Sequence, residues 1–239
     1  MATNANLLRR LSDRRLFLAA AVLFPLLVLA GYFRTYYFSA FFDVPALSNS
    51  LVHAHAIVMS LWVVYFVVQV ALIRSKNIKL HMTMGMAGIV LAALVVIIGL
   101  ATAYDSQLVR GSAPPGADPR VFFMIPVGDM ALFVLFFAGA IYYRKRPAEH
   151  KTLMLMTAIN FAAPAIARLP FIPPQYIVPC AFGISGGLAI VCLIWHSIKH
   201  RRVNKIFLAA VVLFIAFTPA RMMFAQTQIW LGFVNWLAG

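Results

Sequence analysis

The sequence predicts an all-α, polytopic membrane helix bundle of about seven transmembrane helices, with its N-terminus inside and its C-terminus outside. Three observations predict it. The chain is 63% hydrophobic and only 11% charged, with a mean hydropathy of +0.90, whereas a soluble domain is nearer half apolar and a quarter charged. Its apolar runs are long and continuous, unlike the alternating strands of about 10 residues in an outer-membrane barrel. Its net charge of +14 sits in short basic blocks between those runs, the pattern of a topology determinant and not of a nucleic-acid surface. The expected partner is the lipid bilayer, in a bacterial inner membrane, and nucleic acid is not expected.

Residues 1–15 are polar and basic and form a cytoplasmic flank; residues 16–239 form a single transmembrane domain. Asp13-Arg14-Arg15-Leu16-Phe17-Leu18 resembles a twin-arginine export signal, but no small-residue cleavage site follows, so the helix is kept as span one, 16–33, with a kink at Pro25. An aromatic connection with Tyr36, Tyr37, Phe38, Phe41 and Phe42 suits a membrane interface. Asp43-Val44-Pro45 leads to Ser48-Asn49-Ser50, a helix cap, and span two covers 51–73. Span three is 80–104. The stretch 105–120, with Gly111, Pro114, Pro115, Gly116 and Pro119, is an irregular loop. Span four is 121–143 and span five 152–169. Span six is 176–198, where Gly183, Gly186 and Gly187 predict close helix contact. The last apolar region, 206–237, is either one long tilted helix or a helix broken near Pro219 with an interfacial segment. Fifteen of the twenty Lys and Arg then fall on the inner side, all but Arg34, Arg110, Arg120, Arg168 and Arg221. Cys180 and Cys192, about 18 Å apart along one helix, cannot pair with each other.

Ionisable residues inside a span are costly and point to function. At about 1.5 Å per residue, four spans carry such groups at similar depth in the outer third: His53 or His55, Asp129, Arg168 and Arg221. They predict an outer pocket in which Asp129 pairs with an arginine and a histidine and the second arginine face a ligand. An internal ion-pair network and snorkelling arginines are the structural alternatives. His55 shares a helical stripe with Met59, Trp62 and Gln69, which turns it inward; His53 belongs to the interface. A second set, His81, His150 and His196, lies on the inner side. Paired imidazoles on neighbouring helices are the axial ligands of b-type haem, and Gly85 and Gly88 after His81 leave room for a porphyrin. The methionines of His81-Met82-Thr83-Met84-Gly85-Met86 project to different faces, so no metal site is assigned there.

Leu51-Val52-His53-Ala54-His55, Ser60-Leu61-Trp62 with Gln69, Leu80-His81 with Gly85 and Gly88, His150-Lys151 before Leu153-Met154-Leu155, and Pro164 to Pro170 together resemble uncharacterised multi-histidine bacterial inner-membrane proteins, over residues 42–170. More distantly, a histidine heading a helix before Leu-Met resembles b-type cytochromes and membrane proteins linked to oxidase assembly. The first resemblance implies the architecture and the choice of residues and carries no reaction. The expected function is binding of a cofactor or small ligand through buried histidines, with b-type haem redox as its most concrete form. Two other classes are a non-catalytic subunit of a larger membrane complex and a proton-linked transporter or sensor.

Overall fold

The computed structural model describes residues 2–44 and 49–239, with side chains from Arg15 onward. Pro45 and Ser48 of the expected turn and cap, and the side chains of the basic flank before Arg15, lie outside them. Among the described residues every regular element is helical: α1 (Ala2–Tyr32), α2 (Ser50–Arg74), α3 (Ile78–Ala103), α4 (Pro119–Phe122), α5 (Met124–Tyr142), α6 (Pro147–Asn160), α7 (Ala162–Ile166), α8 (Ile177–His200), α9 (Lys205–Phe224) and α10 (Gln228–Ala238). π-Helical turns at Phe33–Tyr37 and Tyr104–Val109 extend α1 and α3. Short polar side chains start the helices: Asn49 accepts from the Val52 N–H, Asn77 from Leu80 and Asn204 from Ile206 and Phe207, as a helix N-terminus requires.

Among the described residues, six helices are long and apolar enough to cross a membrane: Arg15–Tyr37, Ser50–Arg74, Ile78–Val109, Pro119–Tyr142, Pro174–His200 and Lys205–Phe224. The chain is a multi-pass membrane protein. Leu23, Val64, Ile97 and Val191 are each more than half exposed, while Trp62, Phe133 and Phe207 are fully enclosed. An apolar girdle of this extent is covered by hydrocarbon, not by water.

The difference from the expected seven lies in 152–169, which is not one helix. α6 ends at Asn160, and α7, which follows Phe161, has only five residues. Pro164 is the physical cause: it has no N–H for the Asn160 carbonyl, and its ring crowds that group. The Phe161 N–H reaches the Thr157 carbonyl at a stretched 3.4 Å. This broken segment is nevertheless the most enclosed among the described residues, with residues 155–163 buried without interruption. It runs alongside α1: the Lys151 ammonium lies 5.8 Å from the Phe17 ring centre and the Arg168 guanidinium 4.7 Å from that of Tyr32. Between these contacts, Gly31 meets the backbone of Ala165 so closely that no side chain fits at position 31.

Close helix approach therefore occurs at Gly31, and not in the Gly183–Gly187 stretch where it was expected. Nothing lies within 4 Å of a Cβ at Gly183 or Gly187, and only Ile215 comes near Gly186, at 3.8 Å. Gly183 is exposed on α8, so its missing side chain leaves room facing the surroundings. In the last apolar region, α9 continues through Pro219 to Phe224, and the break comes at 225–227. α10 is tied to the far end of α3 and to α4, with the Trp230 indole N–H donating to Arg120 O at 2.9 Å and the Tyr104 hydroxyl to Leu237 O at 3.3 Å.

Candidate functional site

The polar side chains fall into two groups. One lies at the end of the bundle that carries the basic turns. His81 stands in the first turn of α3, and His150 in the first turn of α6. Their ring centres are 6.4 Å apart and their planes nearly perpendicular, at 82°. His150 Nδ1 is 2.8 Å from the Ala140 carbonyl at the end of α5. That hydrogen bond orients the ring and leaves Nε2 for other use. His81 Nδ1 is buried and makes no hydrogen bond. Gly85, one turn after His81, has open space within 4 Å of its Cβ position, whereas the room expected at Gly88 is filled by the Tyr65 ring and hydroxyl. One turn before His150, Tyr142, Tyr143, Lys145 and Arg146 line a cleft of about 220 Å³. His196, the third histidine of the expected inner set, is stacked with His200, 4.3 Å between ring centres, and packs edge-on to Phe207 at 5.8 Å.

The donor set decides what this pair suits. Among the described residues, no three His, Cys, Asp or Glu side chains gather as they would around a bare ion. A zinc-like site takes three or four protein ligands. Haem supplies four nitrogens of its own and needs only two axial ligands. The pair offers two imidazole donors, one of them oriented through its Nδ1 by a carbonyl.

The second group lies toward the opposite end. Asp129 on α5 takes Arg221 of α9 as its arginine: Nη1 donates to Asp129 Oδ1 at 2.6 Å, and both side chains are buried. The same Nη1 donates to Ile125 O at 3.2 Å, and the guanidinium lies 4.6 Å from the Phe182 ring centre. Asn160, at the end of α6, donates to Asp129 O at 2.9 Å. Two helices, α6 and α9, thus converge on one residue of α5. The absence of a side chain at Gly128 makes room, because a Cβ there would lie 2.8 Å from Arg221 Cδ.

Arg168 does not join that ion pair. It donates to Pro164 O at 2.9 Å and covers Tyr32, near enough to His55 for its charge to act on that ring. His53 is exposed, 6.0 Å from Tyr36. The five expected outer residues therefore form a buried pair (Asp129 and Arg221), a neighbouring His55 and Arg168, and a peripheral His53. Asn160, Phe182 and Tyr32 complete these groups and were not assigned roles from the sequence. Asn160 carried a usable signal, a carboxamide in an apolar run; Phe182 and Tyr32 carried none. At the rim, hydrogen bonds from Arg120 hold the Asp118 carboxyl below the usual carboxylate range.

Compared with known proteins, the chain matches no family model, no curated protein and no solved structure, so the reading of the site rests on its own geometry.

Proposed function

We propose that the protein is an inner-membrane redox protein that holds a b-type haem between His81 and His150. The observation that carries this reading is the 6.4 Å separation of the two rings. At that separation the two imidazoles would be close enough to hold one haem iron between them as its protein ligands. Such a haem supplies one-electron chemistry when bound. The chain's part is to orient and enclose it. Ala140 O fixes the His150 ring, the open space at Gly85 would give room beside His81, and Lys145 and Arg146, which line the neighbouring cleft, would supply cations for the propionates.

Electronic absorption of the protein purified after expression with added haem tests the reading, with metal analysis on the same sample. We expect a Soret band and one iron per chain, both lost in His81→Ala and in His150→Ala. A wild-type protein without the band, or alanine variants that keep it, would overturn the assignment.

The membrane topology belongs to the same proposal: seven crossings, N-terminus inside, C-terminus outside. The support is the path of α6 and α7. The stretch from Lys151 to Arg168 follows α1 from Phe17 to Tyr32, a rise of about 22 Å at helical pitch. A segment of that reach, added to the six long helices, gives an odd number of crossings.

The other end supports a second, compatible reading. With Asp129 engaged by Arg221, His55 and Arg168 are the pair left for an outer ligand whose binding is coupled to protons. Arg168→Gln and His55→Ala are expected to weaken that binding and flatten its pH dependence, read by isothermal titration with small carboxylates. Unchanged binding in both variants would remove this pocket.

A further inference from the structure

The buried stripe of α2 contains a group that the haem site as described leaves unused. Gln69 is 7% exposed, and its buried Oε1 accepts no hydrogen bond. Its carboxamide interacts with the Tyr65 hydroxyl, but that hydroxyl directs its own proton to Met84 O at 3.2 Å and has none for Oε1. A carboxamide oxygen without a donor in the interior of a membrane bundle is costly unless a partner arrives.

The register of the α2–α3 hairpin names the partner. Two bonds fix it: Tyr65 Oη to Met84 O, and the Asn77 N–H to Leu72 O at 2.9 Å. One turn from Tyr65 toward the connection is Gln69. One turn from Met84 toward the same connection is His81, whose Nδ1 is likewise buried without a hydrogen bond. One group lacks a donor and the other an acceptor, each one turn from the Tyr65–Met84 bond on two packed helices.

We propose that Gln69 is the positioning residue of His81. Its Oε1 accepts the proton of His81 Nδ1–H, which fixes the tautomer with Nε2 free toward His150. The inference rests on the haem reading. His150 already has the equivalent arrangement, its Nδ1 held by the Ala140 carbonyl. Gln69 makes the arrangement symmetrical: each axial imidazole is oriented through Nδ1 by a neutral oxygen. Such an acceptor raises the basicity of the ligand and stabilises the oxidised iron.

Redox titration of the haem-loaded protein is the test, with Gln69→Leu, Gln69→Met and Gln69→Glu. Gln69→Leu and Gln69→Met, which lack the acceptor, are expected to keep one haem per chain and shift the midpoint potential upward. Gln69→Glu restores an acceptor and is expected to return the potential to the wild-type value or below. Loss of haem in Gln69→Leu and Gln69→Met with recovery in Gln69→Glu supports the same role. A potential unmoved in all three variants, or haem lost in all three with helix content intact, overturns it. A wild-type protein that binds no haem overturns the haem reading itself, and this inference with it.

Discussion

Arg221 is held by groups from three other positions: the Asp129 carboxylate, the Ile125 carbonyl and the Phe182 ring. Its Nε and Nη2 remain buried without a hydrogen bond, so its charge is balanced chiefly by one carboxylate. Removing one partner of such a pair leaves an uncompensated buried charge and costs about 3–5 kcal/mol. We therefore expect Asp129→Asn to destabilise the protein by that amount, and Asp129→Leu combined with Arg221→Met to recover most of it. Denaturant unfolding in detergent micelles followed by circular dichroism checks both. Asn160→Leu removes only a neutral hydrogen bond to Asp129 O and is expected to cost about 1 kcal/mol in the same assay. Asp129 and Arg221 were legible in the sequence because each interrupts an apolar run. Their pairing was not, because it joins residues 92 apart and depends on which helices are neighbours. The depth arithmetic gave both the same level, and several pairings shared that level.

The helices themselves were largely legible, because an apolar run bounded by basic turns needs no tertiary information to be read. The exceptions have local causes. Pro164 removes one hydrogen bond and divides 152–169 into α6 and α7, although the composition of that stretch differs little from that of its neighbours. Glycine was read as a sign of close contact, but its consequence depends on the face it occupies. At Gly31 a Cβ would collide with the Ala165 backbone, which no side-chain rotation can relieve; at Gly183 it meets nothing within 4 Å. Gly31→Ala is expected to push α1 from α7 and lower stability by about 1–3 kcal/mol, as overpacking does. Gly183→Ala should be neutral or slightly stabilising, because it replaces glycine in a helix interior. Equal effects of the two substitutions in the unfolding assay would contradict this account of the α1–α7 contact.

At the scale of the whole molecule, the two polar groups sit at opposite ends because the chain repeatedly reverses direction. His81 and His150 open helices that leave the basic turns, whereas Asp129 is level with Asn160 at the finish of α6 and Arg221 near the finish of α9. The His81–His150 pair at one end is thus separated from the ion pair by the aromatic core of Trp62, Phe133, Phe137 and Phe161. The charge pattern predicts the orientation, and the number of crossings turns on one broken segment. Parity makes that number testable. With an N-terminus inside, seven crossings put Gly239 outside and six put it inside. The free cysteines Cys180 and Cys192 are first replaced by alanine, and single cysteines are then placed at Ser75, Ser112 and Gly239, all exposed. A membrane-impermeant maleimide applied to spheroplasts is expected to label positions 112 and 239 at once, and position 75 only after permeabilisation. Position 239 behaving like 75 would mean that α6 and α7 turn back without crossing. Position 75 labelled first, with 112 protected, would reverse the orientation and place the His81–His150 pair on the outer side.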